Sequence, residues 1–424
     1  MTAWPLVTLA DVASPEKRAI ISGPFGSNIG KRFFLPSGIP VIRGNNLVNL
    51  DAQFMDEGFV YISAEKAAAL NCWANPDDLI FTAAGSLGQV GLIPRDGRYP
   101  QYVISNKQLR ITLDTTKILP AFAYYHFSTP EMRAYVIGQN KGSSVPLITL
   151  GVLRSLPIPK PPIGIQRKVV GILSAYDALI ENNNRRIALL EESAQRIYGE
   201  WFVDFRYPGH ENTPMLDSPH GPIPTGWSWR ELRELADEIR VGVEPGAVEP
   251  STPYVGLEHM PERSIAIADW GTAADAGSRK FAFKAGDILF GKIRPYFHKV
   301  AVPPVAGICS TDAVVIRERG EGLGGLVLAV VSSDAFVQEA VQTSQGTKMP
   351  RANWTVLERY NVAVPPTSLI KHFDELMSDI VGTIHRLVMS DRNLRAARDL
   401  LLPRLVSGEL DVADLDIAMP EATA

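Results

Sequence analysis

Apolar and polar positions alternate along this chain in two distinct rhythms, and the rhythms follow one another twice. The first rhythm is short. Gly38-Ile-Pro-Val-Ile42, Asp78-Leu-Ile-Phe81 and Leu109-Arg-Ile-Thr-Leu113 are β-branched or apolar runs bounded by Gly, Pro or Asn, which predicts short strands. Later in the chain Asp287-Ile-Leu-Phe290, Lys299-Val-Ala-Val302 and Asp312-Ala-Val-Val-Ile316 do the same. Between such runs, 122–135 and 326–342 predict short helices. The second rhythm has a period near seven. Val169, Tyr176, Asn183, Leu190 and Ile197 are spaced by seven, with Ile165, Ile172 and Leu179 offset on the same face. Adding 204 to each number gives Phe373, Ile380, Leu387, Leu394 and Leu401, with Leu369, Leu376 and Thr383. Only Asn183 and Thr383 break the apolar pattern. Each stretch predicts a long helix with a coiled-coil-like seam, about 55 Å for the first at 1.5 Å per residue. The matching phase of the two seams favours their pairing over each packing on its own domain alone. Asn183 is then the polar position of the seam, suited to fixing register, to a wet position near a helix end, or to a partner contact.

The rhythms repeat because the chain repeats. Trp4-Pro-Leu-Val-Thr-Leu9 corresponds to Trp229-Arg-Glu-Leu-Arg-Glu-Leu235, Asp78–Phe81 to Asp287–Phe290, Gly142-Ser-Ser-Val-Pro146 to Gly346-Thr-Lys-Met-Pro350, and Pro161-Pro162 to Pro365-Pro366. Internal repeats of this order set the architecture. Five prolines and two glycines in 207–224 rule out a helix or central strand there and predict a linker.

Composition changes this picture little. The 424 residues are 46% hydrophobic and 21% charged, ordinary for a folded protein. No apolar run nears the roughly 18 residues of a membrane span, and the N-terminus lacks a signal-peptide pattern. Cys72 and Cys309 fit reduced thiols, so a cytoplasmic location is expected. The net charge of −4 excludes a purely charge-driven nucleic-acid binder but not local basic patches. Residues 1–212 hold 21 basic against 18 acidic residues, and 213–424 hold 21 against 28. The last sixteen residues carry five acids and no base, predicting a solvated tail over 409–424.

Several motifs look chemical. Gly320-Glu-Gly-Leu-Gly-Gly325 fits a dinucleotide loop, yet the equivalent stretch of the first copy, Asp114–Pro120, has no glycine. Gly286-Asp-Ile-Leu-Phe-Gly-Lys292 spells most of a P-loop but continues with Ile293 and lies along a predicted strand. The seven histidines show no metal-ligand spacing, and no catalytic cluster emerges. The readings are a binding protein first, then a nucleotide-binding enzyme using the Gly320–Gly325 loop, or a scaffold.

The polar loops carry side chains suited to nucleic acid. In the first copy these are Lys31 and Arg32 after a glycine-rich turn, Arg43 with Asn45 and Asn46, Ser86 and Gln89, Lys107 and Gln108, and Lys141 with Ser143 and Ser144. In the second they are Lys292, Arg294, Tyr296, His298 and Lys299, then Lys348, Arg351 and Asn353. Arg, Asn, Gln and Lys match base edges in the major groove; Lys, Ser and freed backbone N–H groups suit phosphates. Against this, His298 is of a type that often only packs, and Arg185-Arg186 reads as a solvated helix face. Gly23-Pro-Phe-Gly26 is expected to shape a turn and pack Phe25.

In combination, Gly23-Pro-Phe-Gly-Ser27, Ile39-Pro-Val-Ile-Arg43, Asp78–Phe81 with Gly85, Leu156-Pro-Ile-Pro159, Gln166-Arg-Lys-Val169, Asp177-Ala-Leu-Ile-Glu-Asn-Asn183 and Leu400-Leu-Leu-Pro-Arg-Leu-Val-Ser-Gly-Glu409 resemble the specificity subunit of type I restriction–modification systems. The resemblance spans the chain. Its second copy departs at Leu369-Ile-Lys-His372 and at Gly291-Lys292-Ile293, where a Gln-Arg/Lys-Lys run and a Gly-Ser element are usual. It implies an α+β fold: two tandem α/β target-recognition domains (1–162 and 225–366), each followed by a long helix (163–206 and 367–408), the helices packing as an antiparallel coiled coil. It implies double-stranded DNA as ligand, with each domain reading one half of a bipartite site. The implied partners are two methyltransferase subunits carrying S-adenosylmethionine and restriction/translocase subunits. Catalysis, cofactor, metal and membrane contact are not expected in this chain.

Overall fold

The structure, a computed structural model, describes residues 4–48, 50, 52–142 and 145–417. The chain divides into two compact units, Met1–Ala178 with Arg395–Ala424 and Leu179–Leu394. Both boundaries fall inside long helices, so each unit is a domain plus one end of both helices.

In the first unit the apolar runs become two four-stranded sheets. One has the order Ile20–Ser22, Gln108–Ile111, Leu79–Thr82, Val90–Leu92, all antiparallel. The other runs Val60–Ile62, Ile39–Ile42, Tyr102–Ile104, Trp73–Ala74, with its two central strands parallel. Leu79–Thr82 and Gln108–Ile111 are buried along their whole length; Leu79–Thr82 accordingly reads as a near-continuous apolar run, whereas Gln108 and Arg110 are buried polar positions. Pro120–Ser128 and Pro130–Gly138 form two helices broken at Thr129. Thr129 caps the second with its hydroxyl, accepting the Met132 amide at 3.2 Å, and proline at the first helical position fits such a start.

The second unit repeats the plan. Ala236–Ile239, Ala313–Glu318, Ile288–Gly291 and Val300–Ala301 form one sheet. The other has five strands, Gly242–Val243, Lys280–Phe283, Gly307–Cys309, Pro253–Val255 and Gly271–Thr272, again with a central parallel pair. Gly324–Val331 and Asp334–Gln342 are the helical counterparts. The shared motif at Asp78 and Asp287 has a common cause. Each carboxylate accepts the backbone N–H three residues before it, from Asn75 at 2.8 Å and Lys284 at 2.7 Å. Each also pairs with an arginine of a neighbouring strand: Arg110 Nη1 to Asp78 at 3.3 Å, and Arg317 twice to Asp287 at 2.6 and 2.7 Å.

The two long helices pack against one another as an antiparallel pair. The first covers Ile163–Tyr198 and continues as a wider turn through Gly199–Val203; the second covers Thr367–Ser407. In the first unit Arg398 Nη1 meets Asp177 at 2.8 Å. In the second, Asn183 Nδ2 donates to Asp391 at 2.6 Å and Trp201 rests on Phe373, so numbers rise along one helix as they fall along the other. Val169 and Phe373 are buried as expected, as are Asn183 and Leu387. The second row of the seam differs from the expected one. Leu173, Ile180, Ile187 and Ala194 are buried, whereas Leu179 is 52% exposed. On the other helix the row is Met377, Ile384, Asp391, Arg398 and Leu405, all buried, rather than Leu376 and Thr383. Arg185 and Arg186 do face solvent.

One further expectation is corrected. Val412 of the acidic tail is 3% exposed and lies in the core of the first unit with Leu402, Leu405 and Val406, and Lys168 Nζ donates to the Ala413 carbonyl at 2.5 Å. The tail up to Ile417 is therefore docked: an apolar residue among the acids anchors it. Within 207–224, Met215–Leu216 pairs with Ile223–Pro224 as a small hairpin. Among the described residues no single helix is long and apolar enough to cross a membrane. Cys72 and Cys309 are free and buried, and burial pushes both thiols up, Cys309 to about 12.

Candidate nucleic-acid interface

In each unit the parallel strand pair sets where the polar loops emerge. Strands Ile39–Ile42 and Tyr102–Ile104 end side by side, and the Ser105 amide donates to the Ile42 carbonyl at 3.0 Å. The Ser310 amide does the same to Val255 at 3.0 Å. Around the first joint, Gly23 N–H donates to Gln108 O at 2.9 Å, Ala83 N–H to Lys107 O at 2.7 Å, Gly85 N–H to Pro146 O at 3.0 Å and Ile148 N–H to Ala83 O at 2.9 Å. These bonds gather the loops around Gly23–Arg32, Arg43–Asn46, Ala84–Gln89 and Ser105–Gln108, with Asn140–Gly142 and Val145–Leu147, at one end of the sheets. Gly23 is required there: a Cβ would collide with the Ser105 carbonyl.

The predicted residues divide into a surface and its supports. Lys31, Arg32, Asn45, Ser86, Lys107 and Lys141 are exposed, with Arg43 and Gln89 half-buried. Arg32 Nη2 donates to Ser27 O at 3.0 Å and its guanidinium lies over Phe33. Arg43 and Asn45 both reach the Gly58 carbonyl, at 3.2 and 3.4 Å. Two positions expected to face DNA are instead internal. Asn46 is fully buried; its Oδ1 accepts the Arg43 amide and its Nδ2 donates to Met55 and Glu57 carbonyls. Gln108 is 1% exposed and bonded to Ser105. Both hold the loop that displays Arg43, because a buried amide must spend its donors and acceptors on the chain around it. Ser143 and Ser144 lie outside the described residues.

The second unit repeats the division. Tyr296, Lys348, Arg351 and Asn353 are exposed, and Lys292 and Arg294 half-buried. Arg294 N–H donates to Pro350 O at 2.7 Å and Ala352 N–H to Lys292 O at 2.8 Å, joining these loops as in the first unit. Arg351 sits 3.5 Å from the Asp312 carboxylate, and Asn353 caps a short helix through the Thr355 amide at 3.1 Å. His298 is buried, its Nε2 on the Ser332 carbonyl at 2.9 Å. Lys299 Nζ donates to Leu257 O and Met260 O at 2.7 and 2.9 Å. His298 is thus a support, and Lys299, half-buried, spends its ammonium on these two carbonyls.

Phe25, expected to pack, is 86% exposed; nothing in its local sequence distinguishes an inward from an outward ring. The Gly320–Gly325 loop is already occupied by carboxylates: Leu323 N–H donates to Glu318 at 3.0 Å and Gly325 N–H to Asp374 at 2.7 Å. A phosphate would meet like charge there. Among the described residues no group of His, Cys, Asp and Glu could hold a metal ion.

Residues 3–192 match the family model described as the Type I restriction modification DNA specificity domain. The chain is 24% identical over 398 residues to the type I restriction enzyme MjaIX specificity subunit of Methanocaldococcus jannaschii, covering 89% of this chain and 88% of that one. It is 22% identical to the EcoDI specificity subunit of Escherichia coli, covering 75% and 74%. A crystal structure of the S subunit of a type I restriction–modification system from M. genitalium superposes with a TM-score of 0.57 at 13% identity, covering 95% of this chain and 96% of that one, a likeness of fold. With two copies of one loop-bearing frame and relatives matched over most of both chains, this chain is similar along most of its length to type I restriction enzyme specificity subunits, and its residues 3–192 match their DNA specificity domain.

Proposed function

We propose that this chain is the non-catalytic DNA-reading subunit of its complex, and that each loop cluster reads one half of a bipartite site on double-stranded DNA. The observation that carries this is the pair of equivalent loop clusters, alike in the bonds that gather them and different in the side chains they expose. A constant frame with variable loops suits two readers of different sequences. The paired helices then act as the spacer between half-sites. Two methyltransferase subunits carrying S-adenosylmethionine dock on this chain and methylate adenine, and restriction/translocase subunits join for cleavage. The setting is the cytoplasm.

The exposed cations of the first cluster hold phosphates and base edges. Replacing Lys31, Arg32 and Arg43 by Ala in the assembled methyltransferase should weaken binding to its target duplex. The salt dependence should flatten by up to about 0.9 in log–log slope for each phosphate that is no longer neutralised. Unchanged affinity with an unchanged slope would remove these positions from the interface. No sequence-specific binding by the assembled wild type would favour a scaffold that does not read DNA.

A further inference from the structure

Each unit raises one large aromatic ring out of its cluster of cations. In the first unit it is Phe25, 86% exposed at the head of the short turn Gly26–Asn28. Its surroundings are polar. The Asn28 amide donates to its carbonyl at 2.8 Å, Arg32 is tied to Ser27, and a Cβ at Gly26 would stand 3.0 Å from the Asn106 amide. In the second unit it is Tyr296, 52% exposed in the turn Pro295–Phe297. Arg294 (φ 48°) and His298 (φ 50°) flank that turn in the left-handed region, which non-glycine residues adopt only where surrounding structure compels it. The compulsion is visible: Arg294 N–H is bound to Pro350 O, and His298 Nε2 to Ser332 O. The fold thus tolerates strain at two residues in a turn that leaves an aromatic ring in water.

We propose that Phe25 and Tyr296 are DNA wedges, each inserting between adjacent bases of the half-site its own unit reads. This rests on the DNA-reading function proposed above. Apolar side chains entering a base step partly unstack it, and the cost depends on the step, least for pyrimidine–purine steps. Neighbouring cations, Lys31, Arg32 and Lys107 in one unit and Lys292, Arg294 and Lys348 in the other, hold the phosphates on either side. Part of the sequence preference then comes from the deformability of the wedged step rather than from hydrogen bonds to its edges.

The test uses the full chain assembled with its methyltransferase subunits and duplexes carrying the methylated motif of the host genome. 2-Aminopurine is placed in turn at each position other than the methylated adenine, which a methyltransferase unstacks by itself. The wild type should raise fluorescence at one step in each half-site. Phe25→Ala should abolish the rise in one half-site only and weaken binding about 5- to 150-fold, with thermal unfolding unchanged. Tyr296→Ala should act in the other half-site. If both variants keep affinity and signal, the wedges are wrong while the DNA-reading function stands. If the wild type shows no sequence-specific binding, both fail. If Phe25→Ala loses methyltransferase subunits in native mass spectrometry while the complexes that remain keep the signal, the ring is a protein contact and the proposal is overturned.

Discussion

Single buried groups set the conditions under which this protein folds. Burial pushes the His126 imidazole down to about 4, against a bond from Nε2 to the Pro157 carbonyl at 3.0 Å that opposes the shift. An unfolded histidine takes up its proton near pH 6.5. Between the two values the unfolded chain binds more protons, so stability is fully present above about pH 6.5 and falls as pH drops toward 4, by on the order of 3 kcal/mol. His126→Gln, which keeps a donor but does not titrate, should flatten the denaturant midpoint between pH 6.5 and 4.5 relative to wild type; an equal slope would rule out His126 as the source. Asp287, its side chain 4% exposed beneath Arg317, makes a second residue-scale prediction. Asp287→Ala leaves the guanidinium and the Lys284 amide without their acceptor and should cost roughly 2–4 kcal/mol in chemical denaturation. Neither group announced itself beforehand. Asp78 and Asp287 were visible only as the first letter of a repeated motif, because a carboxylate's burial depends on an arginine 30 or more residues away.

At the scale of elements, strands and long helices were legible because their apolar spacing is dictated by the surface they bury. Asp78–Phe81 and Asp312–Ile316 stood out since both faces of those strands are covered. One row of each helical seam was legible too. The other row was misassigned because its second-helix members include Asp391 and Arg398, polar residues that no apolar pattern reveals. Their bonds to Asn183 and Asp177 make polar layers in an otherwise apolar seam, a device that fixes register. Arg398→Met should leave Asp177 without its guanidinium partner, keeping the Tyr125 hydroxyl, which donates to it at 2.7 Å. The destabilisation expected is about 3–5 kcal/mol, with Asp177→Asn in the same chain recovering part of it. Gly325 is where helix Gly324–Val331 meets the second long helix: a Cβ would stand 2.7 Å from Met377 Cβ and 3.1 Å from Asp374 Cα. Gly325→Ala should therefore destabilise the second unit by about 1–3 kcal/mol, seen as early hydrogen exchange in the helix Gly324–Val331. Loop roles were legible by residue type but not by direction. Asn46, Gln108 and His298 are polar yet buried, Lys299 is half-buried with its ammonium bound to two carbonyls, and Phe25 has the composition of a core residue yet stands exposed.

For the molecule as a whole, net charge was a poor guide. The acidic tail that lowers it is anchored through Val412 to the first unit, while the cations stand on loops gathered by backbone bonds. Under the proposed function, partner subunits share the grip on DNA, so this chain need not be basic overall. The proposed function demands independence: each unit should determine its own half of the target. The direct measurement replaces residues 1–162 by the corresponding domain of a relative with a known target and sequences the methylated adenines of the host genome. One half of the methylated motif should change while the other half and the spacing between them stay as they were. A change in both halves would contradict two independent readers.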